Sequence, residues 1–294
     1  MAAWRGLTTC TVIAAGLIAA FLLLRHQNPT DHRGRVPLTS IGGEVIFLDA
    51  PAITRRGPPQ VVIVRLAGPG ELVPFHFRQQ ALAWPKTIEG WAEVLRAPVI
   101  FNAGQFDEHF AHLGWLKGDG VWLSRRRQPL WFGLLVSGPK RAGSWARLID
   151  LQDMPTAVVD GYAHAIQSMM LVDQHAQPRV RRSDRTACRT VVAEDRHGRI
   201  LIIVTQGAVT LMDLAQWLPR SGLEVVRAMN LDGGVESQLI IDTPELHFVF
   251  YGQYGTDTTM LRGEAGALVR HELPAVVALR PQLSSVGHAQ RPSE

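Results

Sequence analysis

A single carboxylate followed by two glycines stands between two apolar runs in the stretch AMNLDGGVESQLII, residues 228–241. Asp232 and Gly233 form a dipeptide typical of β-hairpin turns, because glycine adopts positive φ without steric cost. The same residues also suit a catalytic site, since the bare backbone at Gly233 and Gly234 would let a ligand approach closely. Asn230 and Asp232 alternate with apolar residues, so both polar groups are expected on one face of the strand end. The pattern alone leaves both interpretations open.

A second group of polar residues lies in the stretch FNAGQFDEHFAHLGWLKGDG. Asn102 ends an apolar run that reads as a strand, Gly104 interrupts it, and Asp107 follows. His109 and His112 suggest a metal site, but their spacing lacks the further ligands of a zinc pattern. We therefore expect them to be surface or core histidines.

A third candidate is the arginine-rich stretch RVRRSDRTACRTVV, residues 179–192. Most of these arginines read as a solvated basic loop. If a strand begins near Arg185, that residue and Arg189 share one face while Cys188 points the other way. One inward arginine would bind phosphate oxygens through its planar guanidinium. Positive charge would lower the pKa of the Cys188 thiol, although no histidine is close in sequence to act as its base.

Composition narrows the function classes. The 294 residues carry a net charge of +4, a weak preference for an anionic partner. Phosphate-binding loops, dinucleotide fingerprints and the HExxH, CxxC and GxSxG motifs are all missing from the sequence. A nucleic-acid reader would need more basic surface and a recognisable module, so no nucleic-acid partner is expected.

The N-terminus predicts a membrane anchor. Residues 7–24 form an uncharged apolar run, about the length needed to span a bilayer, between Arg5 and Arg25. It lacks a small-residue cleavage site, so a signal anchor at residues 1–26 is favoured over a cleaved signal peptide. We expect the rest of the chain to lie outside the cytoplasm, in the periplasm or at the cell surface.

The remainder reads as one strand-rich α+β domain at residues 43–281, after a polar linker at 27–42 and before a polar tail at 282–294. Short β-branched or aromatic runs bounded by turn residues predict strands. These lie at residues 44–49, 60–66, 97–102, 130–136, 190–195, 199–205, 237–242 and 247–252. Helices are predicted at residues 87–97 and 209–222, the second capped by Thr210.

Taken in order, these stretches resemble the phosphodiester glycosidase family. The resemblance covers roughly residues 43–281, and its most specific part runs from the Arg-Thr pair to the Asn-Leu-Asp-Gly-Gly turn. It implies an α+β domain that hydrolyses the bond between an anomeric carbon and a phosphate in exported substrates. The positions that match the family motifs are Asn102, Gly104, Arg185, Asn230, Asp232, Gly233 and Gly234. The family turn usually continues with glycine and serines, whereas this chain has Val235 and Glu236.

The resemblance suggests a role for each residue. Glycosidic cleavage passes through an oxocarbenium-like state that a carboxylate stabilises or attacks, and we assign this to Asp232 as nucleophile or base. Arg185 would hold the phosphate charge. Asn102 would orient the sugar or the water, and Glu236 or Asp107 would be the second carboxyl. The glycines and Asn230 would line the substrate site, with an anionic glycan or sugar phosphate as partner.

Two rival functions remain open at this stage. The chain is alternatively a non-catalytic envelope domain that binds an anionic polysaccharide during assembly or export, which the Val235-Glu236 departure favours. A metal-dependent phosphodiesterase would need a ligand cluster that the sequence does not show. No cofactor is therefore expected, with a divalent cation such as calcium on exposed carboxylates as the open alternative.

Overall fold

Strands dominate the part of the chain that the structure, a computed structural model, describes, namely residues 34–255 and 270–282. Within those ranges there are eighteen strands. They are β1 (Gly34–Leu38), β2 (Gly43–Asp49), β3 (Gln60–Leu66), β4 (Gly70–His76), β5 (Val99–Asn102), β6 (Trp115–Gly118), β7 (Val121–Arg125), β8 (Gly133–Pro139), β9 (Ala146–Asp150), β10 (Tyr162–Val172), β11 (Thr186–Ala187), β12 (Arg189–Asp195), β13 (Ile200–Thr205), β14 (Val209–Thr210), β15 (Val225–Gly233), β16 (Gln238–Asp242), β17 (His247–Tyr251) and β18 (Ala275–Pro281). The same ranges hold two α-helices, α1 (Ile88–Leu95) and α2 (Leu211–Trp217).

Most strands form two antiparallel sheets. The larger sheet has eleven strands in the order β1-β2-β3-β13-β12-β15-β10-β6-β7, with β8 also pairing β10 and β9 pairing β8. The smaller sheet has five strands in the order β17-β16-β5-β18-β4. Strands β5 and β15 each end at a sequence motif singled out above.

The two sheets pack on one another across a shared apolar core. Val99 and Phe101 of β5 belong to this core, together with Met229 and Leu231 of β15. Ile100, between the first two, faces the opposite side of the small sheet and packs with the cluster that contains α1. This alternation follows from the two-residue period of a strand, and it explains why strands buried on both faces read as continuous apolar runs.

Helix α2 covers the outer face of the large sheet. Its N-cap residue Thr210 accepts a hydrogen bond from the backbone N–H of Asp213 at 3.0 Å, as the capping pattern predicted. Leu214 and Ala215 are buried against strand residues such as Ile63 and Ile203. The two predicted helices and all eight predicted strands are thus present, with ends shifted by a few residues, and the strand-rich α+β class is confirmed.

The predicted domain start at residue 43 is wrong. Residues 34–38 form strand β1, which pairs with β2 so that Val36 lies opposite Val45. Prolines and polar residues marked this segment as linker, but a sheet edge accepts both. The predicted anchor and the tail after residue 282 lie outside the described residues. In residues 34–255 and 270–282, no helix combines the length and apolarity needed to span a bilayer.

Candidate active site

The glycine bend after Asp232 is a crossover between the two sheets. Strand β15 continues through Asp232 to Gly233 within the large sheet, and a 3-10 turn, Gly234–Glu236, leads to β16 in the small sheet. Because β15 and β16 do not pair, the hairpin interpretation does not hold. A Cβ at Gly233 would lie 2.9 Å from the carbonyl oxygen of Cys188, and Gly234 has φ +77°, so both positions favour glycine.

Asn102 holds the ends of the two sheets together. Its Nδ2 donates to the backbone oxygens of Asp232 at 3.0 Å and Ala103 at 3.1 Å. Its Oδ1 accepts from Thr190 Oγ1 at 2.7 Å and from the backbone N–H of Gln238 at 3.2 Å. The side chain is almost fully buried and all its hydrogen-bonding capacity is used. Asn102 therefore positions Asp232 through the backbone, and its expected contact with sugar or water is wrong.

Asn230 lies in the floor beneath the bend. It is 1% exposed, and its side-chain amide donates to the carbonyl of Leu231. The backbone carbonyl of Asn230 accepts a hydrogen bond from Ser168 Oγ at 2.5 Å. The two side chains predicted to share one face, Asn230 and Asp232, therefore differ in exposure. Asp232 remains partly exposed, whereas Asn230 is buried. A substrate-binding role for Asn230 is not compatible with this burial.

The carboxyl of Asp232 occupies an unusual electrostatic environment. Loss of hydration, together with the neighbouring charge of Glu236, raises its pKa to about 7. A hydrogen bond from the N–H of Gly233 at 2.9 Å and the charge of Arg189 act against that shift. Burial also raises the pKa of Glu236. The two carboxyl groups thus form an interacting pair that retains protons to higher pH than ordinary surface acids.

Arg189, and not Arg185, is the arginine next to Asp232. The expected continuous strand is interrupted at Cys188, so β12 begins at Arg189, which lies opposite Gly233 in the ladder with β15. Arg189 is 7% exposed and its Nη2 donates to the carbonyl of Arg185 at 3.2 Å. Burial lowers the pKa of Arg189 to about 10, against the opposing effect of Cys188 and Asp232. Arg185 itself is exposed.

A repeated dipeptide in the sequence marks this arginine. The Arg-Thr dipeptide occurs twice, at residues 185–186 and again at residues 189–190. Thr190, from the second copy, binds Asn102 and lies 3.1 Å from Ser237 Oγ. The second pair therefore supplies both an arginine beside Asp232 and a hydroxyl in the buried support beneath it.

Cys188 is an unreactive thiol. It is fully buried, and its Sγ donates to the carbonyl of Gln206 at 3.3 Å. Burial raises the pKa of the thiol, and this effect outweighs the nearby charge of Arg189. The possibility that positive charge activates Cys188 is therefore excluded by its environment.

Asp107 organises a loop and does not join the carboxyl pair. Its Oδ1 accepts from the backbone N–H groups of His109 and Ala111, each at 3.0 Å, and its Oδ2 accepts from Arg126 at 2.8 Å. These bonds, with that from Ala111 as the largest cause, lower the pKa of Asp107. A carboxylate held ionised in this way is a poor proton donor. Glu236, in contrast, is close enough for its charge to raise the pKa of Asp232.

The two histidines of this motif lie in different environments. His109 is largely exposed, whereas His112 is buried and desolvation lowers its pKa to about 4. A Cβ at Gly104 would lie 2.7 Å from Cε1 of His112, so the motif glycine serves close packing of that ring. Across the described ranges, no three histidine, cysteine or carboxylate side chains come together as a metal-binding group.

A carboxylate pair with raised pKa values beside a buried arginine, at a crossover between two sheets, is typical of a functional site. The phosphodiester glycosidase family model matches residues 99–262, more than half of the chain, and the chain belongs to this family. The match includes the ends of both β5 and β15. No curated protein sequence matches the chain significantly.

Solved structures share the fold at low sequence identity. The zebrafish N-acetylglucosamine-1-phosphodiester alpha-N-acetylglucosaminidase catalytic domain, auto-inhibited by its pro-peptide, is 15% identical with a TM-score of 0.58. The alignment covers 82% of this chain and 83% of that one. A hypothetical protein from Synechocystis is 14% identical with a TM-score of 0.52, covering 82% of this chain and 62% of that chain. At these identities the comparison establishes the fold alone.

Proposed function

We propose that this protein hydrolyses the bond between the anomeric carbon of a sugar and a phosphate, in an exported or envelope glycan. The observation that carries the proposal is the environment of Asp232. Its carboxyl stands on a glycine crossover at the family motif, partly buried, beside Glu236 and the buried Arg189. Perturbed acids of this kind concentrate at catalytic sites.

The chemistry follows from these groups. The C1–O bond to phosphate breaks and the phosphomonoester leaves with the electron pair, while the ionised carboxylate of Asp232 attacks C1 or takes a proton from the attacking water. Water supplies the oxygen that ends on C1. Because a phosphate is already a good leaving group, holding its charge matters more than protonating it.

Arg189 is the proposed phosphate-binding group. Its Nε and Nη2 are occupied by the carbonyls of Val209 and Arg185, and Nη1 would be 3.3 Å from a Cβ at Gly233. The guanidinium is thereby fixed in orientation beside the bend, as anion binding requires. Arg185 matches the family motif by position and, being exposed, is the second candidate for this role.

Glu236 is proposed as the residue that tunes Asp232. It stands where the family usually has small residues, and its charge favours the protonated form of Asp232. Gly233 and Gly234, which follow the carboxyl, leave the backbone bare for close approach of the sugar, whereas Gly104 packs against the ring of His112.

The decisive experiment is Asp232→Asn. Purified domain would be assayed for phosphate monoester release from sugar 1-phosphodiesters, including N-acetylglucosamine 1-phosphate methyl ester, the type of bond named for the zebrafish relative. We expect a loss of at least about a thousandfold in kcat with an unchanged circular dichroism spectrum. Asp160→Asn, an exposed surface substitution, is the matched control. Retained turnover in Asp232→Asn overturns the proposal.

The alternative is a non-catalytic domain that binds an anionic polysaccharide. The added charge of Glu236, which would repel a second negative group near Asp232, is the observation in its favour. Binding of an anionic glycan that Asp232→Asn leaves unchanged, without product from the wild type, would select this alternative.

We also propose that residues 7–24 anchor the protein in a membrane with the domain outside the cytoplasm. Support comes from the uncharged apolar run and its flanking arginines. Alkaline phosphatase fused after residue 42 should be active, and an inactive fusion with an active cytoplasmic reporter at the same position reverses the topology.

A further inference from the structure

The side chain of Gln238 joins the glycine crossover to the segment just before β18. Its Nε2 donates to the carbonyl oxygens of Val235 at 3.3 Å and of His271 at 2.9 Å. Gln238 is fully buried, and its backbone N–H donates to Oδ1 of Asn102 at 3.2 Å. One fixed amide group therefore holds the backbone of His271 beside the residue that precedes Glu236.

The segment that carries His271 is also fixed two residues further on. The backbone N–H of Leu273 donates to the carbonyl of Lys86 at 2.8 Å. The carbonyl of Leu273 accepts a hydrogen bond from Nε1 of the buried Trp91 at 2.8 Å. His271 is partly exposed, so its imidazole exchanges protons with the solvent from a backbone that is held in place.

The carboxyl groups of Glu236 and Asp232 lie over the same two glycines. Oδ1 of Asp232 accepts from the N–H of Gly233 at 2.9 Å, and Oε2 of Glu236 would lie 3.5 Å from a Cβ at Gly234. Next to burial, the charge of Glu236 is what raises the pKa of Asp232. Burial raises the pKa of Glu236, and the charge of His271 opposes that shift. We call Asp232, Glu236 and His271 the charge triad.

Other charged groups lie at the two ends of the charge triad. At one end, the guanidinium of Arg189 favours the ionised form of Asp232. At the other end, Arg270 and Glu272 flank His271 in sequence, and their side chains are bound elsewhere. Their partners are Glu89 and Tyr251 for Arg270 and Trp84 for Glu272. The middle group, Glu236, is thus the one on which the charge of His271 acts.

The charge of an imidazole changes between pH 5 and pH 8, the range in which this acid pair also titrates. Between its two ionisation steps, an interacting carboxyl pair holds one proton. A protonated His271 favours the ionised form of Glu236, and an ionised Glu236 favours the protonated form of Asp232. The proton of the pair therefore moves towards Asp232 when His271 is charged.

We propose that His271 is a positioning residue that acts through Glu236 and suppresses hydrolysis at acidic pH by directing the proton of the carboxyl pair to Asp232. The suppression of hydrolysis rests on the proposed function, whereas the movement of the proton does not. Glu236 stands where the family usually has small residues, and His271 follows residue 262, where the family match ends. The family resemblance therefore assigns no role to either side chain.

The test measures the protonation of each carboxyl directly. The full-length protein, labelled with ¹³C at the carboxyl carbons of aspartate and glutamate, would be titrated by NMR from pH 4 to pH 9. Loss of a signal in Asp232→Asn or Glu236→Gln assigns it. In His271→Gln we expect the midpoint of Glu236 to rise and that of Asp232 to fall, each by at least about 0.3 pH unit.

Two further variants separate charge from structure. His271→Lys keeps a positive charge throughout this pH range, so neither carboxyl midpoint should move in the direction seen with His271→Gln. His247→Gln is the matched control, because His247 lies 3.1 Å from Asp242 in an exposed histidine–carboxylate pair on the small sheet. It should leave the midpoints of Asp232 and Glu236 unchanged.

The pH profile of kcat/KM then separates the charge triad from the proposed reaction. His271→Gln should lower the midpoint by about 0.3–0.5 pH unit, but by less than about 0.1 unit in the Glu236→Gln background, because His271 acts through Glu236. Equal shifts in both backgrounds, or carboxyl midpoints unchanged by His271→Gln, overturn the triad. If the carboxyls titrate as expected but the protein hydrolyses no sugar 1-phosphodiester, the proposed function fails and the triad stands.

Discussion

The side-chain amide of Asn102 donates to the backbone oxygen of Asp232 at 3.0 Å, across the boundary between the two sheets. The carboxylate side chain therefore depends for its position on a residue 130 positions earlier in the chain. The same amide group binds Thr190 and Gln238, which come from two further strands. Four segments meet at this one side chain.

Asn102→Ala should destabilise the protein and reduce its activity together. The change removes the hydrogen bonds that join Asn102 to Thr190, Gln238 and Asp232, at an expected cost of about 2–4 kcal/mol in the free energy of unfolding. Urea unfolding followed by fluorescence measures it. Gln152→Ala, an exposed amide, should cost less than about 0.5 kcal/mol. Similar losses for both variants would mean that the Asn102 network contributes nothing.

Arg189→Lys should lower kcat/KM far more than Arg185→Lys. Lysine keeps the charge but loses the planar group that bonds two carbonyls while facing the bend, so we expect a loss of about a hundredfold at position 189. The exposed Arg185 should tolerate the change within about tenfold. Steady-state kinetics with the same phosphodiester would measure kcat/KM for both variants. The reverse order would return the phosphate-binding role to the position that the family motif indicates.

The rate should rise with pH through about 7, because Asp232 acts as a carboxylate and its pKa lies near that value. Glu236→Gln removes the charge that favours the protonated form, so the midpoint should move to lower pH. Profiles of kcat/KM from pH 5 to pH 9 measure both effects. Glu93→Gln on α1, an exposed carboxyl, should leave the midpoint unchanged. A rate that instead falls above pH 7 would make Asp232 the acid.

The free energy of unfolding should decrease as pH rises, because of Asp232. The pKa of Asp232 is raised by folding from 3.8 to about 7, so the folded state binds a proton that the unfolded state has lost. The stabilisation is full below pH 4 and disappears as pH rises through 7, a change of about 2–4 kcal/mol. Asp232→Asn should remove this dependence and unfold at higher urea concentration than the wild type at pH 8. Unfolding at pH 5 and pH 8 tests it, with Asp160→Asn as the control.

Much of the fold is readable from the sequence, because apolar runs and turn residues mark the strands directly. The strand at residues 60–66 and the helix capped by Thr210 both have local causes. Strand β1 has no such local cause, because Gly34–Leu38 becomes a strand only through pairing with β2. The composition of a segment does not record the strand it will pair with, even when that strand comes next in the chain.

The residues of the candidate site are likewise only partly predictable from the sequence. Asp232 and its glycines were visible because a carboxylate on a bare backbone is unusual between apolar runs. The break at Cys188 was not visible, and it decides which arginine turns inward. The N–H of Cys188 binds Tyr254 and its carbonyl receives the N–H of Gly234, so neither joins the neighbouring strand. Such tertiary hydrogen bonds override the two-residue period of a strand, which otherwise predicts the side of the sheet on which each side chain lies.

Strand β18 determines where a recombinant form of this domain can end. In β18, Val276 lies opposite Asn102, and the strand separates β5 from β4. The family match ends at residue 262, before β18, and begins at residue 99, after β1 to β4. A recombinant fragment trimmed to those limits would leave β5 with an open ladder edge, which invites pairing between copies and precipitation. Expression boundaries must therefore extend from residue 34 to at least residue 281.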